Sequence, residues 1–178
     1  MPSGVSFSNR HIEIHTYAEH HKDLTNSLNH FFDDLAPEYI ARWALMTKPE
    51  VSARLVRRLE EVELTSSLAL LSGVEALFRM DYLNRVQKRN RDPLSRAFRE
   101  LFKEYEHRVS LEDTLFSLWK QYSDADGSVI SSLRGAFKYR HWLAHGRYWE
   151  PKLGQQYNYS NIYTLAVAVK SGFPFDLN

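Results

Sequence analysis

Cysteine is absent from the 178 residues, which excludes a disulfide framework and thiolate chemistry and agrees with a reducing compartment. No apolar run is long enough to cross a bilayer, and the first ten residues lack the apolar core of a signal peptide. A soluble cytoplasmic protein with no membrane association is therefore expected. Glycine and proline are scarce, seven and six, and most fall between periodic segments. There is no Walker loop, dinucleotide fingerprint, Gly-x-Ser-x-Gly elbow or His-Glu-x-x-His pair, so the common nucleotide, hydrolase and zinc classes lack support. A dominant charge is missing too: 23 basic residues face 22 acidic ones, for a net charge of +1. The distribution of charge, not its sum, must then decide the partners.

What the chain does contain is apolar and aromatic. Hydrophobic residues make up 43%, which disfavours disorder, and ten Phe, ten Tyr, four Trp and eight His are present. The length suits one domain over residues 1–178, with a core at about 51–171 and an N-terminal helical extension at 1–50. The spacing predicts a helix over residues 13–35 closed by Pro37, then a short helix over 39–46. His11 to His15 alternates like a strand but is short enough to begin the first helix instead.

Leu55, Leu59, Val62, Ser66, Leu70, Val74, Leu77 and Phe78 recur at helical spacing in a proline-free stretch over residues 51–91. Continuous helix there would span roughly 60 Å at 1.5 Å per residue, so a break or bend near Thr65, Ser66 and Ser67 is expected. Gly73 sits on the apolar face, where a neighbouring helix can approach closely. Asp92 before Pro93 reads as an N-cap, Ser110 with Asp113 as a capping box, and Ser128 as the cap of a helix running to about Arg147. A last helix is expected over residues 160–170. The fold class is an all-α bundle of five or six helices around a four-helix core.

Residues 138–147 are the most informative tract: Lys138, Tyr139, Arg140, His141, Trp142, Leu143, Ala144, His145, Gly146 and Arg147. Arg140, followed after four residues by His145 near the end of the penultimate helix, resembles the R-x4-6-H signature of HEPN domains. The four-helix core and the long early helix are also similar to that family. His141 stands where many members carry Asn, and Arg147 stands where a toxin branch carries a modifiable tyrosine, with Tyr148 one position later.

The resemblance implies a metal-independent endoribonuclease with no cofactor, working as a homodimer. Such proteins serve as toxins or defence effectors, and an antitoxin or defence-system partner protein accompanies some of them. Residue chemistry agrees. Cleaving RNA needs a base for the 2′-hydroxyl, an acid for the 5′-oxygen and positive charge near the phosphorus. Histidine as a residue type serves as acid or base near neutral pH, and arginine offers a permanent planar fork to phosphate. The assignment is His145 for proton transfer, Arg140 for transition-state charge and His141 as an auxiliary donor. At about 100° per residue, Arg140 and His145 lie roughly 140° apart around the helix, which a two-fold dimer cleft would reconcile. The same residues have a plain structural use: Arg140 can pair with Glu75, and His145 can satisfy the helix end.

Around this motif, Lys138, Arg147, Arg79, Arg85, Lys88 and Arg89 are candidate RNA contacts, with Glu75 and Tyr148 in support. The basic cluster from Arg85 to Arg99 forms either a phosphate track or a solvated helix junction. His141 and His145, like His11 and His15, have a spacing that can hold a metal, but no further ligands accompany either pair. The alternative to an enzyme is a non-catalytic helical module that binds RNA, a nucleotide or a protein through the same groove.

Overall fold

The computed structural model describes Phe7 and residues 13–177. His11 and Ile12 lie outside the described residues, while Ile14 and His15 of the same alternating stretch open the first helix. Among the described residues, seven α-helices account for nearly all the regular structure: α1 (Ile14–Phe31), α2 (Tyr39–Arg42), α3 (Lys48–Lys88), α4 (Pro93–Tyr105), α5 (Phe116–Tyr122), α6 (Gly127–Ala144) and α7 (Tyr159–Gly172). A π-helical turn, Leu111–Leu115, leads into α5, and no strand occurs among the described residues. The expected all-α bundle is present, with seven α-helices among the described residues where five or six were expected.

Helix α3 is the axis of the molecule, with α1, α4, α6 and α7 packed along it. It begins with a reciprocal capping box: Glu50 Oε2 accepts from the Thr47 N–H at 2.7 Å, and the Thr47 side chain caps in return. The expected break near Thr65 does not occur, and α3 runs for 41 residues. Thr65 turns its hydroxyl back onto the Glu61 carbonyl (2.7 Å), and Ser67 faces inward, fully buried. These side chains are thus accommodated without opening the backbone ladder. The first third of α3 is supported differently, by a small cluster of Phe32, Trp43 and Val51, with Phe32 and Trp43 stacked at 4.8 Å.

The main core surrounds the second half of α3. Phe78 is fully buried and meets Phe116, Phe173 and Phe175 edge-on at 5.0, 5.4 and 5.0 Å. Such edge-to-face pairs add about 0.5–1.5 kcal/mol each beyond area burial. Ile14 of α1 and Phe173 beyond α7 both belong to this core, which therefore reaches outside residues 51–171 at both ends. Gly73 permits the close approach expected of it: a Cβ there would lie 2.7 Å from Tyr17 Cε2 of α1. Asp92 caps α4 through the Ser95 N–H at 2.9 Å, with Pro93 inside the first turn as expected. The cap of α6 is Asp126, not Ser128. Its carboxylate accepts the Ser128 N–H at 2.7 Å, so the acidic residue two positions earlier takes the capping role.

Candidate functional site: the outer face of the sixth helix

Helix α6 is anchored by Leu133, Ala136, Phe137, Tyr139 and Leu143, all buried. The opposite face carries Arg134, Lys138, His141 and His145, spaced four, three and four apart and all exposed. The His141 and His145 rings touch, with centroids 4.2 Å apart at 50°. The helix ends at His145, whose N–H donates to the His141 carbonyl at 3.1 Å. Gly146 then takes φ +80° and Arg147 φ +58°, and the Arg147 N–H reaches back to the Trp142 carbonyl at 3.2 Å. That six-to-one bond across left-handed residues is the reversal expected after a helix C-terminus. It turns the chain back along α6, where the Trp142 indole N–H donates to the Trp149 carbonyl at 2.7 Å.

Arg140 points elsewhere. Its Nη2 lies 3.1 Å from Glu75 Oε2 on α3, while Glu75 Oε1 accepts from Arg79 Nε at 2.7 Å. Arg79 extends on to the Val109 carbonyl at 3.3 Å. Glu75 thus clamps two guanidinium groups, and its side chain is only 19% exposed. Buried Arg140 Nε has no hydrogen-bond partner among the described residues. Within one chain, therefore, His145 joins His141 and Arg140 joins Glu75; the two members of the spaced motif engage different neighbours.

The flanking candidates divide. Lys138 shares the histidine face. Arg147 forms a two-pronged pair with Glu61 at 2.9 and 3.1 Å, which holds the Glu61 carboxyl below its ordinary range. Tyr148 is exposed and lies edge-on to Trp149 at 4.6 Å. The expectation that Arg85 contacts phosphate is corrected: Arg85 is buried, donating to Asp81 (2.8 Å), Asp92 and Ser95 (both 3.3 Å) and the Pro174 carbonyl (2.6 Å). Lys88 pairs with Asp176 of the C-terminal tail. Arg89 is exposed, in the left-handed conformation that closes α3. The Arg85 end of α3 thus serves largely to fasten the tail and α4.

Sequence reasoning missed a cleft beside the histidines. Its volume is about 340 Å³, and its walls are Lys138 and His141 of α6, Glu112 of the π-turn, and Trp149, Pro151, Lys152 and Leu153 of the returning loop. Burial pushes the Glu112 carboxyl above its ordinary range and adjacent Asp113 adds to this, while His141, Lys138 and Arg134 pull the other way. The π-turn puts Glu112 there, and nothing in the spacing of residues 110–122 distinguishes such a turn from ordinary helix. Gly146 followed by Tyr148, Trp149 and Pro151 was the available signal of a loop folding back.

Among the described residues, no three His, Asp or Glu side chains converge in a metal-binding group. Comparison with protein-family models, with curated proteins and with solved structures yields no match. The class defined by the fold is an all-α helical bundle, and no helix among the described residues is long and apolar enough to cross a membrane.

Proposed function

We propose that this protein is an endoribonuclease of the HEPN type that cleaves RNA without a metal ion, at the exposed end of α6. The observation that carries the reading is the contact between the His141 and His145 rings, 4.2 Å apart on the exposed face of α6 that also carries Lys138. His145 takes the proton of the 2′-hydroxyl as its oxygen attacks phosphorus. The same histidine of a second copy gives a proton to the 5′-oxygen as the P–O5′ bond breaks, with His141 as an auxiliary donor. Arg140, steadied by Glu75, supplies permanent charge to the phosphoryl oxygens. The products are a 2′,3′-cyclic phosphate and a 5′-hydroxyl.

Arg140 engages α3 while His145 faces outward, so a second copy across a two-fold axis is the simplest way to surround one phosphate with both. A homodimer belongs to the proposal, as does a role as toxin or defence effector held in check by a partner protein. That biological setting rests on the family resemblance of residues 138–147 alone.

The test is cleavage of a mixed RNA pool by purified protein in excess EDTA, beside folded Arg140→Ala and His145→Ala variants. Cutting by wild type, reduced at least about 100-fold in each variant, is the expected result given the usual worth of positioned acid–base groups. Equal activity in all three proteins would remove these residues from the mechanism. A second reading, a non-catalytic RNA-binding module, is favoured by the engagement of Arg140 with Glu75, which by itself explains the arginine as a structural residue. Under that reading none of the three proteins cuts, and all three bind RNA alike.

A further inference from the structure

The cleft between the π-turn and the returning loop includes neither Arg140 nor His145 and meets the histidine face only at His141 and Lys138. Four of its walls carry recognition chemistry. Lys138 and Lys152 come from different segments and face one concave space, where two ammonium groups suit a phosphate. Trp149 lines the same space and offers an aromatic face for a base. Glu112, half-buried, supplies an acceptor carboxylate to a lining that also holds the donors Lys138, Lys152, His141 and Trp149. Ribose hydroxyls are donors that need such an acceptor, and deoxyribose lacks one of them.

The site is built in advance. The backbone of Trp149 is pinned by the Trp142 indole, and Pro151 restricts the loop as it passes. The reversal at Gly146 and Arg147 is itself tied down by Glu61 on α3. Trp149 sits with its ring centroid 6.1 Å from that of His141, so a base on the indole leaves its sugar and phosphate near the paired imidazoles. The size also suits one unit of a strand: about 340 Å³ lies at the lower end of small-ligand pockets, roughly 300–1,000 Å³.

We infer that this cleft is a nucleotide subsite for single-stranded RNA, with the base on Trp149, the phosphate between Lys138 and Lys152, and a ribose hydroxyl donated to Glu112. The inference rests on the ribonuclease reading for the choice of RNA, but its residues and its test are separate. Occupying this subsite sets which phosphate of the strand meets His141 and His145. Trp149, Lys152 and Glu112 are accordingly binding residues, whose loss raises KM more than it lowers kcat.

The experiment uses the full chain with His145→Ala to prevent turnover, in EDTA, titrated with a short single-stranded RNA and with DNA of the same sequence. Tryptophan fluorescence and anisotropy of a labelled strand are both read. RNA is expected to quench the indole signal and bind more tightly than the DNA. Trp149→Ala is expected to abolish that quench and weaken binding at least about fivefold, the lower end of what losing one stacked base costs. Lys152→Glu should weaken it with a shallower salt dependence, and Glu112→Gln should narrow the RNA–DNA difference.

Binding that is unchanged in Trp149→Ala and Lys152→Glu would overturn the subsite, even if wild-type protein cuts RNA. Absence of RNA binding to the full chain would overturn it as well. Conversely, binding with these sensitivities in a chain whose wild type never cuts would sustain the subsite and remove the ribonuclease reading.

Discussion

Replacing Glu75 with alanine tests whether Arg140 is held as described. The substitution removes one carboxylate that accepts from Arg79 at 2.7 Å and pairs with Arg140 at 3.1 Å. A hydrogen bond to a charged group contributes about 1.5–3 kcal/mol when shielded, whereas an exposed ion pair contributes about 0.2–1 kcal/mol. The carboxylate is well shielded, but the Arg79 and Arg140 side chains are 38% and 33% exposed, so water recovers part of what each loses. The net expectation is about 2 kcal/mol of destabilisation for Glu75→Ala, and about half that for Glu75→Gln, which keeps an acceptor oxygen. Urea unfolding is the assay, with the exposed Glu60→Ala as a control expected within about 0.5 kcal/mol of wild type. At this chain length the Glu75→Ala loss corresponds to roughly 4–8 °C in Tm. A Glu75→Ala effect no larger than the control would refute the clamp, and with it the positioning of Arg140.

Other expectations follow from the same packing. Asp81, wholly buried, has its carboxyl pushed up to about 6 by burial, against the opposing pull of the Asp176 N–H and Arg85. Because the folded protein holds that proton more tightly, Asp81 favours folding most below the ordinary carboxylate range and loses this contribution as pH rises to about 6. Relative to Asp81→Asn, wild-type stability should therefore fall by up to the order of 3 kcal/mol between pH 4 and 6.5, measured by urea melts; a flat difference would contradict it. Asp92 and Asp176, held below the ordinary range, have the opposite sign and lose their contribution as pH falls. Gly73→Ala should cost about 1–3 kcal/mol by crowding Tyr17, yet stabilise by up to ~1 kcal/mol in a Tyr17→Ala background, as alanine is the better helix former. A cost that persists without the Tyr17 ring would place the constraint elsewhere. Arg85→Met should destabilise by about 3–5 kcal/mol because it strands the buried Asp81, while Arg89→Ala should stay within about 0.5 kcal/mol; thermal melts of both separate a structural arginine from a surface one.

Local features were legible in the sequence. Asp92 before Pro93 and the periodic Leu70, Val74, Leu77 and Phe78 specify their helices through short-range chemistry, and the structure has them so. Gly73 likewise marked a close helix approach. Features set by distant partners were not legible. Arg85 looked like a surface cation because Asp81, Asp92, Ser95 and the Pro174 carbonyl reach it only after folding, the last from 89 positions away. The continuity of α3 through Thr65 depends on where serine and threonine side chains turn, which spacing does not encode. Phe173 and Phe175 enter the core from a tail with no helical period. In the candidate site, the His141–His145 contact follows from their four-residue spacing, and the Arg140–Glu75 pair was among the alternatives. Glu112 was hidden by the π-turn and Trp149 by the chain reversal at Gly146.

The most direct measurement is the chemistry of the ends. Wild-type protein in excess EDTA is given a single-stranded RNA it cuts, and the same strand carrying 2′-O-methyl groups, and the fragments are resolved by mass. Histidine-driven attack by the 2′-oxygen predicts 5′-hydroxyl and 2′,3′-cyclic phosphate ends from the first and no cutting of the second. Fragments with 5′-phosphates, or cleavage that survives 2′-O-methylation, would contradict a mechanism centred on His141 and His145.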